Sequence, residues 1–355
     1  MSAATNVKVS RDDKRWEAEI SAELPAEALS KYREEALKEI QQGAKLDGFR
    51  PGKAPIERII QIYGEPTVLR HAAEHAIKHE LPEILAAEGL PVVETPRVSI
   101  ESPEVGKPLK FTARAALAPE VKLPDYNKIA ARINSQKQDT NVSDEEHAQA
   151  VAHLRRERAR IDRIESGTEP QKAAEETRAL AENDLPALDD QFVRSLGYEN
   201  AEKFSEALRT NIKNEKELQA AQKRRAAILD ELVKESSIRY PSILLDYELD
   251  DMEARLASDL SQIGQTIESF LAQQKKTREQ VRADWTEAAD KRAKIRLLLS
   301  EIARKENIEL KQEDLEHEIK HAKKHYPQAD IETLRAHIAH AMRNELTLKR
   351  LESLS

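Results

Sequence analysis

The sequence predicts an α+β fold, in which a small N-terminal antiparallel sheet with helices is followed by an elongated all-α domain with helical arms. Alternation of apolar and polar residues, the pattern of a half-buried strand, occurs before Pro119. Beyond that residue the apolar positions recur at helical spacing. Charged residues make up 34% of the 355 residues and hydrophobic ones 39%, a balance typical of long amphipathic helices. Thin apolar stripes on long helices favour arms over one globular bundle.

The first 118 residues predict one small domain. Its predicted elements are a hairpin over residues 7–20 with the turn at residues 11–14, helices after Pro25 and Pro55 and over residues 67–88, and strands over residues 91–100 and 111–117. The order strand, strand, helices, strand, strand indicates a sheet in which neighbouring strands are antiparallel. Residues 1–118 are therefore expected to fold as an α+β module.

The remainder divides into a connector and a helical domain. Residues 119–141 are polar and contain Pro124, which predicts an extended connector. Residues 142–355 predict the helical domain. Its first helix is marked by Ser143 and Glu146, whose spacing is that of a capping box: the Ser oxygen accepts from a helix-start amide while the Glu side chain reaches back. Later helix starts are predicted at Asn200, Pro241 and Thr277.

Charge and composition limit the function classes. The net charge of −8 provides no global basic field for nucleic acid, so any RNA contact requires a local basic patch. The absence of cysteine rules out disulfides, thiolate zinc sites and a Cys nucleophile, and fits a reducing compartment. The N-terminal residues lack the apolar core of a signal peptide, and no apolar run is long enough to span a membrane. We therefore expect a cytoplasmic protein without membrane contact.

One loop between two helical patterns carries the clearest functional pattern. Residues 48–55 contain two glycines and two prolines, which predict a shaped, exposed loop. Phe49, Arg50 and Lys53 lie within it, and aromatic and Arg side chains are favoured contact anchors. These residues leave two interpretations open: a docking tip, or a turn in which Phe49 packs back into the core.

Patterns for catalysis and metal binding are weak. Gly48 to Lys53 fails as a phosphate loop, because the glycines are separated by three residues instead of four and Ala54 replaces the Ser or Thr that binds magnesium. The sequence also contains two histidine ladders, His71, His75 and His79, and His317, His321 and His325. One helix presents ligands along a line, not at tetrahedral corners, so we expect no metal. No nucleophile elbow or Cys–His pair is present, and we expect neither a cofactor nor an enzyme.

Residues 46–55, LDGFRPGKAP, resemble the signature loop of trigger factor, the bacterial ribosome-associated chaperone. The resemblance extends over nearly the whole chain. Further similar stretches are Ile62-Tyr63-Gly64, Pro119-Glu120-Val121, residues 184–192, residues 238–241 with Glu248, and residues 292–308. The chain departs from the family at Pro51, where the family often has Lys. The family also carries an FKBP-like prolyl isomerase domain, for which residues 167–183 leave too little room.

The resemblance implies an ATP-independent chaperone that binds the large ribosomal subunit near the exit tunnel, through protein and ribosomal RNA, and shields unfolded nascent polypeptides. The ribosome-binding residues that it implies are Gly48, Phe49, Arg50, Pro51, Gly52 and Lys53. Off the ribosome a homodimer is expected. Candidate client contacts on the apolar stripes are Leu244, Met252, Leu256, Phe270 and Leu298. The resemblance implies no prolyl isomerase activity in this chain. The alternatives are a holdase of the SurA type and a helical scaffold, neither bound to ribosomes.

Overall fold

The computed structural model describes residues 2–44, 49–50, 52–136 and 138–355. These residues divide into two compact units, one formed by residues 1–124 with 233–344 and the other by residues 125–232 with 345–355. The strands are β1 (Thr5–Asp12), β2 (Glu17–Leu24), β3 (Arg97–Ile100), β4 (Leu109–Ala116), β5 (Glu120–Lys122) and β6 (Ser237–Arg239). The helices are α1 (Ala26–Gly43), α2 (Ile56–Tyr63), α3 (Glu65–Ala87), α4 (Tyr126–Asn134), α5 (Asp144–Glu165), α6 (Pro170–Arg178), α7 (Asp190–Ser195), α8 (Ala201–Glu235), α9 (Ser242–Gln262), α10 (Ile267–Gln274), α11 (Arg278–Lys305), α12 (Gln312–His325) and α13 (Ile331–Glu352).

The N-terminal sheet confirms the predicted antiparallel arrangement. Its strand order is β1-β2-β4-β3, and each neighbouring pair is antiparallel. Every second residue of β2, including Ile20, is buried, because successive side chains of a strand point to opposite faces. The buried face joins β4 residues such as Phe111 and the α3 residues Ile77, Leu81 and Ile84 in one core cluster. The opposite face of the sheet is polar.

The hairpin turn lies later than the sequence predicted. β1 continues to Asp12, whose carboxylate accepts hydrogen bonds from the backbone N–H groups of Lys14 and Arg15. Trp16, which we placed on the second strand, instead has a φ of 53° in the turn. Its indole N–H donates to the carbonyl of Ala118 at 2.8 Å. This anchor requires a contact that is distant in sequence, so the alternation alone placed Trp16 wrongly.

The prediction of an extended connector over residues 119–141 was wrong in its middle. β5 pairs antiparallel with β6, so Val121 lies opposite Ile238. Directly afterwards α4 forms a helix, because the side chain of Asp125 caps it by accepting from the N–H of Lys128 at 3.2 Å. Ile129 and Ile133 lie one turn apart and are both buried, so their spacing is helical.

The helix starts that depended on local pairs are confirmed. Ser143 accepts from the N–H of Glu146, and the Glu146 side chain accepts from the N–H of Ser143, which completes the capping box of α5. Asn200 caps the start of α8, and Thr277 caps α11. The short helix α10 was missed. No helix in the described ranges is both long and apolar enough to cross a bilayer.

Buried charge holds α9 and α11 together within the first unit. The Glu248 carboxylate on α9 is 2% exposed and accepts from Arg292 at 3.2 Å and Arg296 at 3.0 Å, both on α11. One turn later the buried Glu253 pairs with Arg282 at 3.1 Å. Each buried carboxylate therefore has its counter-charge on the facing helix, as burial of a charge requires.

The second unit has its own polar contacts. The Arg155 guanidinium on α5 donates to the carbonyls of Leu185 and Pro186 at 2.7 and 2.8 Å. Asn134, at the end of α4, donates to the carbonyl of Leu351 at 2.9 Å. These bonds satisfy backbone groups at the ends of elements, where no helical partner is available.

Candidate functional site

The predicted loop joins α1 to α2 in the first unit. The structure describes Phe49, Arg50, Gly52 and Lys53 there, whereas Gly48 and Pro51, which belong to the same predicted set, lie outside the described residues. Gly52 has a φ of 77°, a backbone conformation that an L side chain rarely adopts. The glycine pattern therefore indicated a shaped turn correctly at this position.

The base of the loop is fixed to the end of α1. The Gln41 side chain donates to the Ala54 carbonyl at 2.6 Å, and the Gln41 carbonyl accepts from the Gly52 N–H at 3.2 Å. Below these bonds Ala44 and Ala54 are buried in an apolar cluster with Ile59 of α2 and residues of α1 and α3. The apolar contacts of this region are thus made by alanines at the two ends of the loop.

Phe49 is not part of that cluster. Its side chain is 41% exposed, which makes it one of the exposed large hydrophobic residues of the chain. The turn with Phe49 packed into the core, the alternative that the sequence left open, is therefore wrong. Exposing an aromatic ring costs hydrophobic free energy, which a partner surface that covers the ring would recover.

The two cations of the loop are exposed and unpaired among the described residues. No carboxylate in those residues lies within ion-pair distance of Arg50 or Lys53. The neighbouring Arg58 on α2 donates to the Gln61 side chain at 2.6 Å, and among the described residues no ion pair is formed by Arg58. A local basic surface results in a chain whose net charge is −8.

The structure adds exposed apolar residues on α2 that the sequence reasoning missed. Ile56, Ile62 and Tyr63 are 44%, 48% and 38% exposed, while Ile59 between them is fully buried. Five of the eight residues of α2 are Ile or Tyr, more than one buried face needs. That excess is the signal that could have revealed the surface.

The candidate client residues fall into two groups. Leu298 on α11 is 0% exposed, so it belongs to the core and does not present a surface to a client. The other four are half-buried: Leu244, Met252 and Leu256 on α9, and Phe270 on α10. The apolar stripe of a helix does not show which of its residues a neighbouring helix covers, and this explains the inclusion of Leu298.

The histidine ladders make separate contacts. His75 lies 2.7 Å from the Glu39 carboxylate, and the His79 ring stacks on Tyr32 with centroids 6.0 Å apart. His317, His321 and His325 lie on an exposed face of α12. Within the described ranges no group of three or more His, Asp or Glu side chains is arranged to hold a metal ion.

Comparisons with known proteins agree with this architecture. The family model for the bacterial trigger factor protein matches residues 5–154, and the model for the trigger factor C-terminus matches residues 200–351. The chain belongs to the trigger factor family. Trigger factors are the ribosome-associated chaperones of bacteria, and the two matched regions account for most of this chain.

Full-length relatives show the same relationship. The trigger factor of Streptomyces avermitilis is 26% identical over 364 residues, which cover 83% of this chain and 78% of that protein. The trigger factor of Bacillus pumilus is 23% identical over 384 residues, covering 86% of this chain and 90% of that protein. A solved structure of the trigger factor chaperone has a TM-score of 0.55 at 16% identity and covers 99% of this chain, which confirms the fold class.

The two family matches leave residues 155–199 unassigned. This trigger factor has the end of α5, the short helices α6 and α7, and a 3-10 turn at Glu182–Asp184 in that interval. The aligned region of the Streptomyces relative is 364 positions long yet uses only 83% of this 355-residue chain, so that relative carries residues that this chain lacks.

Proposed function

We propose that this chain is an ATP-independent chaperone that binds the large ribosomal subunit near the exit tunnel and shields unfolded nascent polypeptides. The observation that carries the proposal is the exposed Phe49, flanked by the unpaired Arg50 and Lys53 on a loop fixed at its base. We further propose residues 1–118 as the ribosome-binding domain, residues 119–141 as its connection, and residues 142–355 as the client-binding domain.

The loop chemistry suits a mixed protein and RNA surface. Arg donates bidentate hydrogen bonds to carboxylate or phosphate, and Lys acts as a mobile point charge. The Phe49 ring fills an apolar pocket on a ribosomal protein, which is the contribution expected of an aromatic anchor. The family often has Lys where this chain has Pro51, so binding depends on two cations and the ring.

A ribosome pelleting assay tests the docking role. The double variant Phe49→Ala with Arg50→Ala should abolish co-sedimentation and leave the unfolding curve unchanged, because neither side chain is part of the core. The matched control is Val105→Ala with Lys107→Ala, which removes an exposed apolar residue and an exposed cation elsewhere in the N-terminal domain. Co-sedimentation of the loop variant at the wild-type level would refute the docking role.

The same assay separates the proposal from its alternatives. A holdase or a helical scaffold that does not bind ribosomes would not pellet at low or at high salt. A docking chaperone pellets at low salt and less at high salt, because salt cations compete with its Arg and Lys side chains for the ribosomal phosphates.

Client binding is proposed for the half-buried residues Leu244, Met252, Leu256 and Phe270. Scattered apolar side chains among charges provide weak, exchangeable contacts, which a chaperone without ATP requires. The test is suppression of the aggregation of a chemically unfolded enzyme. No suppression at an excess of this protein would count against the proposal.

We also propose that the chain has no prolyl isomerase activity. The interval between α5 and α8 carries only α6, a 3-10 turn and α7. A folded sheet domain needs more residues than this to bury a core. Exchange of the cis and trans forms of a proline peptide, followed by NMR, should be unaffected by the protein, and measurable acceleration would overturn this part.

Location and assembly complete the proposal. We propose a cytoplasmic chaperone that forms a homodimer off the ribosome. Sedimentation velocity across a range of protein concentrations tests the dimer, and a constant monomer mass at every concentration would refute it.

A further inference from the structure

The N-terminal sheet has one protected edge and one open edge. On β1 the register is irregular between Thr5 and Lys8, and Asn6 has a φ of 54°. Bulges and irregular backbone of this kind hinder the pairing of a further strand with an edge. β3, on the opposite edge, pairs with β4 in unbroken register from Arg97 to Ile100.

The open edge presents unpaired backbone groups. The N–H of Glu101 donates to the Lys110 carbonyl at 3.0 Å, so this residue pairs inward with β4. Inward and outward groups alternate along an antiparallel strand, and therefore the N–H and C=O of Val98 and Ile100 point away from β4. None of the described residues forms a hydrogen bond to these outward groups.

A groove of about 560 Å³ runs between this edge and one face of α3. Its helix side is formed by Pro66, Thr67, Arg70, Ala73 and Glu74, and its strand side by residues 98–103. Val98, Ile100 and Ala73 give it an apolar floor, while its charged lining residues are the basic Arg70 and the acidic Glu74 and Glu101. A helix beside an open edge strand is the geometry in which an added strand buries alternate side chains.

We propose that the β3 edge and this groove bind a short extended segment of unfolded polypeptide as an additional strand. The outward N–H and C=O groups recognise main chain, which every sequence shares, and the groove wall accepts side chains of either charge. The partner class rests on the proposed chaperone function, but the site is separate from the docking loop and from the residues proposed on α9 and α10.

The surrounding residues set the length and strength of this contact. Pro96 precedes β3 and Pro103 closes the groove, and neither can donate to an added strand. The site therefore accommodates about four residues of an added strand, and each of its few hydrogen bonds strengthens binding about fivefold. Such a contact exchanges quickly, as a chaperone that releases clients without ATP requires.

The first test substitutes the outward donor in the intact chain. Val98→Pro removes an N–H that β4 does not use, so the β3–β4 hydrogen bonds remain in place. The matched control, Val98→Thr, keeps the N–H and the β-branched shape. The probe is a fluorescein-labelled, end-capped six-residue peptide of alternating valine and threonine, followed by anisotropy. Val98→Pro should raise its Kd about fivefold, the loss expected for one hydrogen bond, while Val98→Thr should stay within about twofold.

The second test leaves the protein unchanged, so it remains decisive if Val98→Pro fails to fold. The same peptide with alternate backbone nitrogens methylated should lose binding to the wild-type chain, and the unmethylated peptide should slow amide hydrogen exchange at Val98 and Ile100. Equal binding of the two peptides, or of wild type and Val98→Pro, would overturn the proposal.

Two further outcomes would refute the edge site without contradicting the proposed function. If the chain suppresses aggregation and pellets with ribosomes but does not bind the peptide, the edge site is wrong and the proposed function stands. If the free chain forms a dimer that Val98→Pro dissociates, the edge is occupied by a second copy, and the polypeptide site is again refuted.

Discussion

The loop between α1 and α2 and the α9–α11 pair use the same kinds of residue in opposite ways. On α9 and α11 the arginines at positions 292 and 296 both bind the buried carboxylate of Glu248. On the loop, Arg50 and Lys53 have no acidic partner among the described residues, and Phe49 is 41% exposed. Composition alone does not separate paired from unpaired charge in this chain. The separation comes from whether each cation already has its counter-charge inside the fold.

The largest expected effect on stability comes from removing a buried carboxylate that already has its counter-charges inside the fold. Glu248→Ala leaves two arginines without their shared partner and should lower the free energy of unfolding by about 2 kcal/mol. The cost is below that of a fully buried pair because the Arg292 and Arg296 side chains are 35% and 49% exposed. Urea unfolding measures the change, and ribosome pelleting should be unaffected.

The control for Glu248 is Glu206→Ala, which breaks an exposed pair with Lys203. Exposed pairs contribute little to stability, so its unfolding midpoint should match the wild type. If both variants shift the unfolding midpoint equally, burial does not determine how much these ion pairs contribute to stability, and the comparison fails.

The next effect concerns the unsatisfied charges of the loop. If Arg50 and Lys53 both bind ribosomal phosphate, ribosome affinity should fall about tenfold between about 50 and 200 mM salt. Lys53→Ala should reduce the slope of log affinity against log salt by about half. Pelleting at a series of salt concentrations gives both slopes, and Lys107→Ala serves as the control. An unchanged slope in Lys53→Ala would show that this cation does not contact phosphate.

The smallest effect concerns Glu80, a second satisfied carboxylate. Burial raises the pKa of Glu80, but hydrogen bonds from the Ser2 and Tyr32 hydroxyls and the Ala3 N–H outweigh it and hold that pKa below its usual range. Burial and then the Glu80 carboxylate raise the pKa of Tyr32 to about 12. The Glu80 carboxylate therefore stabilises the fold in its ionised form.

The pH dependence of unfolding tests this assignment. A depressed pKa in the folded state gives stability that is complete above the unfolded pKa of about 4.3 and is lost as pH falls through the folded pKa. The free energy of unfolding of the wild type should exceed that of Glu80→Gln by about 1 kcal/mol at pH 7, and this difference should shrink toward pH 3. A difference that stays constant over this range would contradict the ionised role.

Features that depend on neighbours in sequence were predictable. Ser143 and Glu146 are three residues apart, and their reciprocal hydrogen bonds formed as the pattern indicated. The alternation in β2 and β4 predicted the sheet, and the glycines and prolines of residues 48–55 predicted a shaped loop, in which Gly52 has a positive φ. Each of these signals is contained within one turn or one strand.

Features that depend on distant partners were not predictable. Trp16 leaves the strand pattern because its indole binds a carbonyl about a hundred residues later. Leu298 carried the same apolar signal as Leu256, and only the packing of α11 shows that it is core. The loop could be recognised by its residues, but the exposure of Phe49 required the structure, since Ala44 and Ala54 fill the apolar contacts that the ring could have made.

The pairing of β5 with β6 has a consequence for the synthesis of this chain. β4 ends at Ala116. Residues 120–122 cannot pair until residues 237–239 have been synthesised. The second of these segments also contacts the N-terminal region, because the Arg239 guanidinium lies 5.3 Å from the Trp16 ring centroid. At about 5–20 residues per second, translation separates the two strands by roughly 6–23 s. Throughout that interval β5 lacks its partner strand, whereas all four strands of the sheet before it have been synthesised. The first third of this chaperone therefore emerges as an unfinished nascent chain of the kind that we propose it protects.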